Sequence, residues 1–210
     1  MQPPRLRRLS QLYLGLALYG FSDGLLLLGG LGVDPWDVFH QGLSRQLGLG
    51  VGTWSIIVGA CVLAVWLPLR QRPGLGTLSN VVIIGLVINL TLASIPAPRE
   101  LGVRVAAMLS GVVLNGIATG AYIGAGLGPG PRDGVMTGFA ARGHSIRVVR
   151  TSMEITVLAI GWLLGGTVGV GTVTYALAIG PLAHFFIPLL RISTRRESAL
   201  IPSAAHAASP

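Results

Sequence analysis

Of the 210 residues, 51% are hydrophobic and only 10% charged, with a mean hydropathy of +0.71, which excludes an ordinary soluble globule and points to a chain solvated largely by lipid. The net charge of +8 is carried by arginine alone, and the arginines flank apolar runs instead of interleaving with surface aromatics, so nucleic acid is excluded as a partner. The single cysteine, Cys61, lies inside an apolar run as a small hydrophobe and leaves no internal disulfide to read.

Arg5, Arg7 and Arg8 precede an apolar run at about residues 11–30. It is too long for a signal-peptide core and lacks a small-residue cleavage site, so it reads as a retained membrane span. Further runs of spanning length follow at about 52–69, 77–95, 103–124, 148–166 and 172–190. Six transmembrane helices are therefore expected in a single all-α membrane domain over 1–210. The fifth is the shortest apolar stretch, because Arg150 and Glu154 sit in its first two turns. Arginine placement puts 12 on the side of the N-terminus and only Arg45, Arg99 and Arg104 opposite. Both termini are thus expected to be cytoplasmic, with a disordered tail over residues 193–210 that is rich in Ala, Ser and Pro.

A duplication runs through these elements. Leu31-Gly-Val-Asp-Pro-Trp-Asp37 returns 96 positions later as Leu127-Gly-Pro-Gly-Pro-Arg-Asp133. Gly20, Gly24, Gly30 and Gly42 match Gly116, Gly120, Gly126 and Gly138; Trp66 matches Trp162, and Gly74-Leu-Gly-Thr77 matches Gly169-Val-Gly-Thr172. The repeats cover about 11–95 and 103–190. Three spans per repeat is an odd number, so the second copy should enter the membrane from the opposite face, giving an inverted-topology pair.

Each copy of the opening motif reads as a loop and a helix start. Asp34 fits an N-cap, Pro35 and Pro131 fit first helical positions, and Asp37 and Asp133 fall in first turns, where the helix dipole favours a carboxylate. The helices at about 35–47 and 131–142 are too short to cross a bilayer, and are either interfacial or re-entrant. From the odd span count, the two copies are expected on opposite sides of the membrane, as symmetry-related helix entries or gates too far apart to act together.

Asp23 lies near the middle of the first span, where a carboxylate must be paired, neutralised or water-exposed. With Asn89, Asn115, Glu154 and His184, and Asn80 beside them, it makes up the expected polar pathway for a solute or ion. Arg150 and Glu154 can pair at i,i+4. Gly20 with Gly24, and Gly116 with Gly120 and Gly124, provide small-residue faces expected to pack the first and fourth spans together. Gly20-Phe-Ser-Asp-Gly24 has the Gly-x-Ser-x-Gly form, which with His184 suggests an intramembrane hydrolase. The pattern lies within a helix, not on a strand-turn-helix elbow, so no catalytic residue and no enzyme is expected. No Cys or His cluster has metal-ligand spacing and no phosphate-binding glycine loop occurs, so neither metal nor cofactor is expected.

The stretch Leu31–Leu43, with Gly126–Gly134 and the Gly-Val-Gly-Thr element from Gly169, resembles the YczE branch of the bacterial YczE/YyaS/YitT group of integral membrane proteins. The resemblance implies a multi-pass protein of the bacterial inner membrane and supplies no substrate or catalytic residue. The leading expectation is a small-solute transporter or permease with a polar site between the repeats. The rival is a non-transporting scaffold or accessory subunit, using an exposed glycine face to form a homo-oligomer or bind a membrane partner.

Overall fold

A computed structural model describes residues 5–192; the expected tail over 193–210, with Arg195 and Arg196, lies outside the described residues. Eight helices follow one another: α1 (Arg5–Gly29), α2 (Pro35–Leu47), α3 (Val51–Leu69), α4 (Leu75–Ser94), α5 (Leu101–Gly124), α6 (Pro131–Ala140), α7 (Ile146–Leu163) and α8 (Val170–Leu190). All the described elements are helical. Five of them, α1, α3, α4, α5 and α8, are long and apolar enough to cross a membrane. The remaining expected span, α7, has 18 residues and carries Arg147, Arg150 and Glu154; it does not join the five. Large apolar side chains such as Leu67, Leu163, Leu177 and Phe185 cover the outer surface, as they do where lipid is the solvent.

At the centre, α1 packs on α5, α1 on α4 and α5 on α8. Lipid is as apolar as leucine, so helices associate by close backbone approach and not by hydrophobic exclusion. Glycine permits that approach, although not where the sequence suggested. Gly20 and Gly24 face Ile84 and Thr91 of α4, while Gly116, Gly120 and Gly124 face Leu182, Phe186 and Leu190 of α8. The α1–α5 crossing instead uses Gly15, against Ala121 and Tyr122, and Gly111, against Ser22 and Leu26. These contacts repeat in register: Gly15–Tyr122 corresponds to Gly111–Leu26, and Gly24–Thr91 to Gly120–Phe186.

Helix ends are closed in matching pairs. Arg8 donates to the carbonyls of Ala125 and Gly126 beyond the end of α5, and Arg104 donates to those of Gly29 and Gly30 at the end of α1. The start of each helix thus lies beside the end of the other, so α1 and α5 run antiparallel. The loops before the short helices dock in the same paired way: Gly76 N donates to Leu127 O at 2.9 Å and Gly171 N to Leu31 O at 2.8 Å. Gly32 and Gly128 turn there with φ of 109° and 130°, the left-handed region that glycine adopts without strain. The Leu-Gly pair of the repeated motif is this docking turn.

Symmetry fails at the periphery. On one side α3 packs against α4, with Gly52 and Gly85 face to face and Asn89 accepting from Gly52 N at 3.0 Å while donating to Thr53 Oγ1 at 2.9 Å. The equivalent of Gly52 is Val148, and α7 packs on α2 and α6 and not against α8 in that way. Gly180, the equivalent of Gly85, faces open space.

Candidate functional site

Both short helices begin in the interior and end at the surface. In α2, Trp36, Asp37, Val38 and His40 are buried whereas Gln46, Leu47 and Gly48 are exposed. Asp34 caps the helix, its Oδ1 accepting from Trp36 N at 2.9 Å and Asp37 N at 3.4 Å, with Pro35 at the first position. In α6, Asp133 Oδ2 accepts from Gly130 N at 3.1 Å, Pro131 holds the first position, and the Pro131 carbonyl accepts from Trp66 Nε1 at 2.8 Å. Asp34 as N-cap and Pro35 and Pro131 at the first helical positions are as the motif suggested, and the Asp133 bond to Gly130 N adds to it.

Their separation is not. The two motif copies, expected on opposite sides of the membrane, meet: Arg132 Nη1 lies 3.8 Å from Asp34 Oδ1, and its guanidinium carbon stands 4.4 Å from the Trp36 ring centroid, a cation–π arrangement. A span count does not fix the depth of a short helix, and the N-terminal ends of α2 and α6 lie together. Arg132, which its place in the chain puts among the cytoplasmic arginines, is in the interior.

Between these ends lies a cavity of about 340 Å³. Tyr19, Asp34, Trp36, His40, Asn80, Thr119, Tyr122, Arg132 and Asp133 form its inner wall. Arg150 and Glu154, early in α7, Ser55 to Val62 of α3, and Tyr175 to Ile187 of α8 complete the lining. α7 and α8 do not pack against each other. Arg150 Nε donates to Glu154 Oε1 at 2.9 Å, both side chains partly exposed. Tyr19 and Tyr122 meet edge to face with centroids 5.9 Å apart.

Behind the cavity wall is a buried polar cluster. Asn115 Nδ2 donates to Asp23 Oδ1 at 2.7 Å and to Ser22 Oγ at 3.1 Å, and Tyr175 OH donates to Asn115 Oδ1 at 2.9 Å. His40 Nδ1 lies 3.0 Å from Asp37 Oδ1. Burial pushes the Asp34 carboxyl above its ordinary range, reinforced by the Asp37 charge and opposed by Arg132. Burial likewise raises Asp37 and lowers His40, the latter helped by Arg132, because an apolar surrounding disfavours the charged form of each.

Of the expected pathway, Asp23 and Asn115 bond to each other, while Asn80 and Glu154 line the cavity. Asn89 does not join them, serving instead as the α3–α4 clasp. His184, its repeat counterpart, is exposed, on a helix against which α7 does not pack. Ser22 Oγ donates to Tyr19 O at 2.6 Å and is fully buried, so Ser22 and exposed His184 form no dyad. Tyr19, Trp36, His40, Tyr122, Arg132 and Tyr175 escaped the sequence reading. A signal was present in the repeat register: Tyr19 aligns with Asn115, Asp23 with Thr119 and Asn80 with Tyr175, polar in both copies within apolar spans.

The family model described as "Family of unknown function (DUF6198)" matches residues 6–188. The chain is 42% identical over 185 residues to an uncharacterized protein of Haemophilus influenzae, covering 88% of this chain and 85% of that one. It is 36% identical over 199 residues to the uncharacterized membrane protein YczE of Bacillus subtilis, covering 91% and 93%. The uncharacterized protein YyaS of the same organism is 28% identical over 184 residues, covering 84% and 90%. No solved structure matches. These relatives and the five apolar helices identify a membrane protein of the group that the motif resembles.

Proposed function

We propose, from the premise that the chain belongs to the family of unknown function DUF6198, that it is a transporter or permease for a small polar solute. Its frame in this reading is an inverted-topology pair of three-span repeats, with α7 as the sixth span. Antiparallel α1 and α5, and the contacts that recur in repeat register, support the inversion. The Arg150–Glu154 pair and the cavity that receives it make the charges of α7 tolerable in a spanning helix.

One observation carries the function: the N-terminal ends of two short helices converge with Arg132 on a cavity of about 340 Å³. That is the size range of small-molecule sites, and interrupted helices meeting between inverted repeats are the recurrent way of building a transport site. Guanidinium, carboxylate and phenol groups share the wall, which suits a solute with both donors and acceptors. Taking Arg132 from the tally still leaves 11 arginines against 3, so the reading keeps both termini cytoplasmic in a bacterial inner membrane. No enzyme chemistry is assigned, and Ser22 is already held by Asn115 and the Tyr19 carbonyl.

The rival scaffold needed the Gly116–Gly124 face free for another chain. Its glycines are filled by α8 of the same chain, which weighs against it. Proteoliposomes containing wild type, Asp23→Asn or Arg132→Gln are assayed for uptake of a labelled library of small polar solutes. Wild type accumulates a solute, and both variants lose at least tenfold of that uptake while remaining monodisperse. Absence of any flux together with a stably co-purifying membrane partner would replace transport with the scaffold.

A further inference from the structure

We infer that Asp23, Asp34 and Asp37 together form a binding site for one hard divalent cation, beside the solute cavity and sharing Asp34 with its wall. The three residues come from α1, the turn before α2 and α2 itself, so no local spacing announced them. One carboxylate oxygen from each lies within 4.8 Å of the others, and all three residues are buried. Oxygen ligands opposed across a calcium-sized ion stand up to about 5 Å apart, and across magnesium about 4 Å, so the spacing suits the larger, more tolerant ion.

A second observation is independent of the cluster. Asp37 Oδ2 is buried with no hydrogen-bond partner, and the residue is 1% exposed. Helix capping accounts for Asp34 Oδ1 and the imidazole accounts for Asp37 Oδ1. Neither accounts for that second oxygen, and a buried carboxylate oxygen without a donor is costly until an ion, a water or a proton satisfies it.

Charge suits the valence. With the ligands deprotonated as the ion binds, three carboxylates and Arg132, 3.8 Å from Asp34 Oδ1, sum to two negative charges, which one divalent cation balances. The first of the carboxylates is also fixed in orientation, since Asn115 holds Asp23 and is itself held by Tyr175, as the supporting hydrogen bonds of metal sites do. Asp34 and His40 open onto the cavity, which gives the ion an entry and water a route to complete its coordination.

The site stands whether or not a solute moves, and its test needs no flux. Protein purified in detergent with a chelator, then freed of it, is titrated calorimetrically with CaCl2 and MnCl2, and its unfolding temperature is followed in each salt. The expected result is one saturable site per chain and a raised unfolding temperature. Asp23→Asn, Asp34→Asn and Asp37→Asn each weaken binding at least tenfold, whereas Glu100→Gln, at an exposed surface carboxylate, leaves it unchanged. If the aspartate variants do not fold, the wild-type measurements decide. Lack of saturable binding by wild type, equal stabilisation by NaCl at matched ionic strength, or wild-type affinity in all three folded variants overturns the assignment.

Discussion

The Trp66 indole occupies the space that a methyl group on Gly134 would need, and the pair shows how single residues set the limits of the repeat. Trp162 stands in the same register as Trp66, yet one is 2% and the other 64% exposed. The reason lies across the interface: the counterpart of Gly134 is Val38, whose side chain removes the slot. Gly134→Ala is therefore expected to destabilise the protein by about 1–3 kcal/mol through overpacking. Gly180→Ala, at a glycine facing open space, stays within about 0.5 kcal/mol. Thermal unfolding of both variants in detergent checks the contrast, and equal midpoints would contradict it. At this scale Asp23 was legible, because a carboxylate deep in an apolar run must have a reason to be there. Arg132 was not: among arginines at the ends of apolar runs, nothing local separates one that marks topology from one that enters the interior.

At the scale of elements, the eight helices were legible because apolar runs, proline at first helical positions and capping aspartates all report on the local chain. What the sequence lacked was any signal of depth. A short amphipathic helix reads alike whether it lies on the membrane or dips into it, since its buried face is apolar in both cases. Depth comes instead from packing on α3 and α7, and from end contacts such as Arg45 with the Gly165 carbonyl and Arg142 with the Pro68 carbonyl. Each short helix then has a buried start and an exposed finish. Single cysteines in a Cys61→Ser background test this: Leu47→Cys, at the exposed end of α2, and His144→Cys, just beyond α6, should react with an impermeant maleimide from opposite faces. Reaction of both from one face would remove the inverted arrangement.

For the whole molecule, the duplication made the recurring contacts readable, whereas the departures from them were not. Gly52 lets α3 close on α4; Val148 stands in its place, and α7 packs on α2 and α6 instead of α8. No periodicity within either repeat announces that difference. Alternating access requires the inner wall of the cavity to meet water from each face in turn. Thr119, the repeat counterpart of Asp23, lies on that wall and offers a direct probe. With Thr119→Cys as the sole cysteine in sealed vesicles of both orientations, a membrane-impermeant maleimide should label the protein from the cytoplasmic and from the external face. Labelling from one face only, or from neither, would contradict a transport pathway through this cavity.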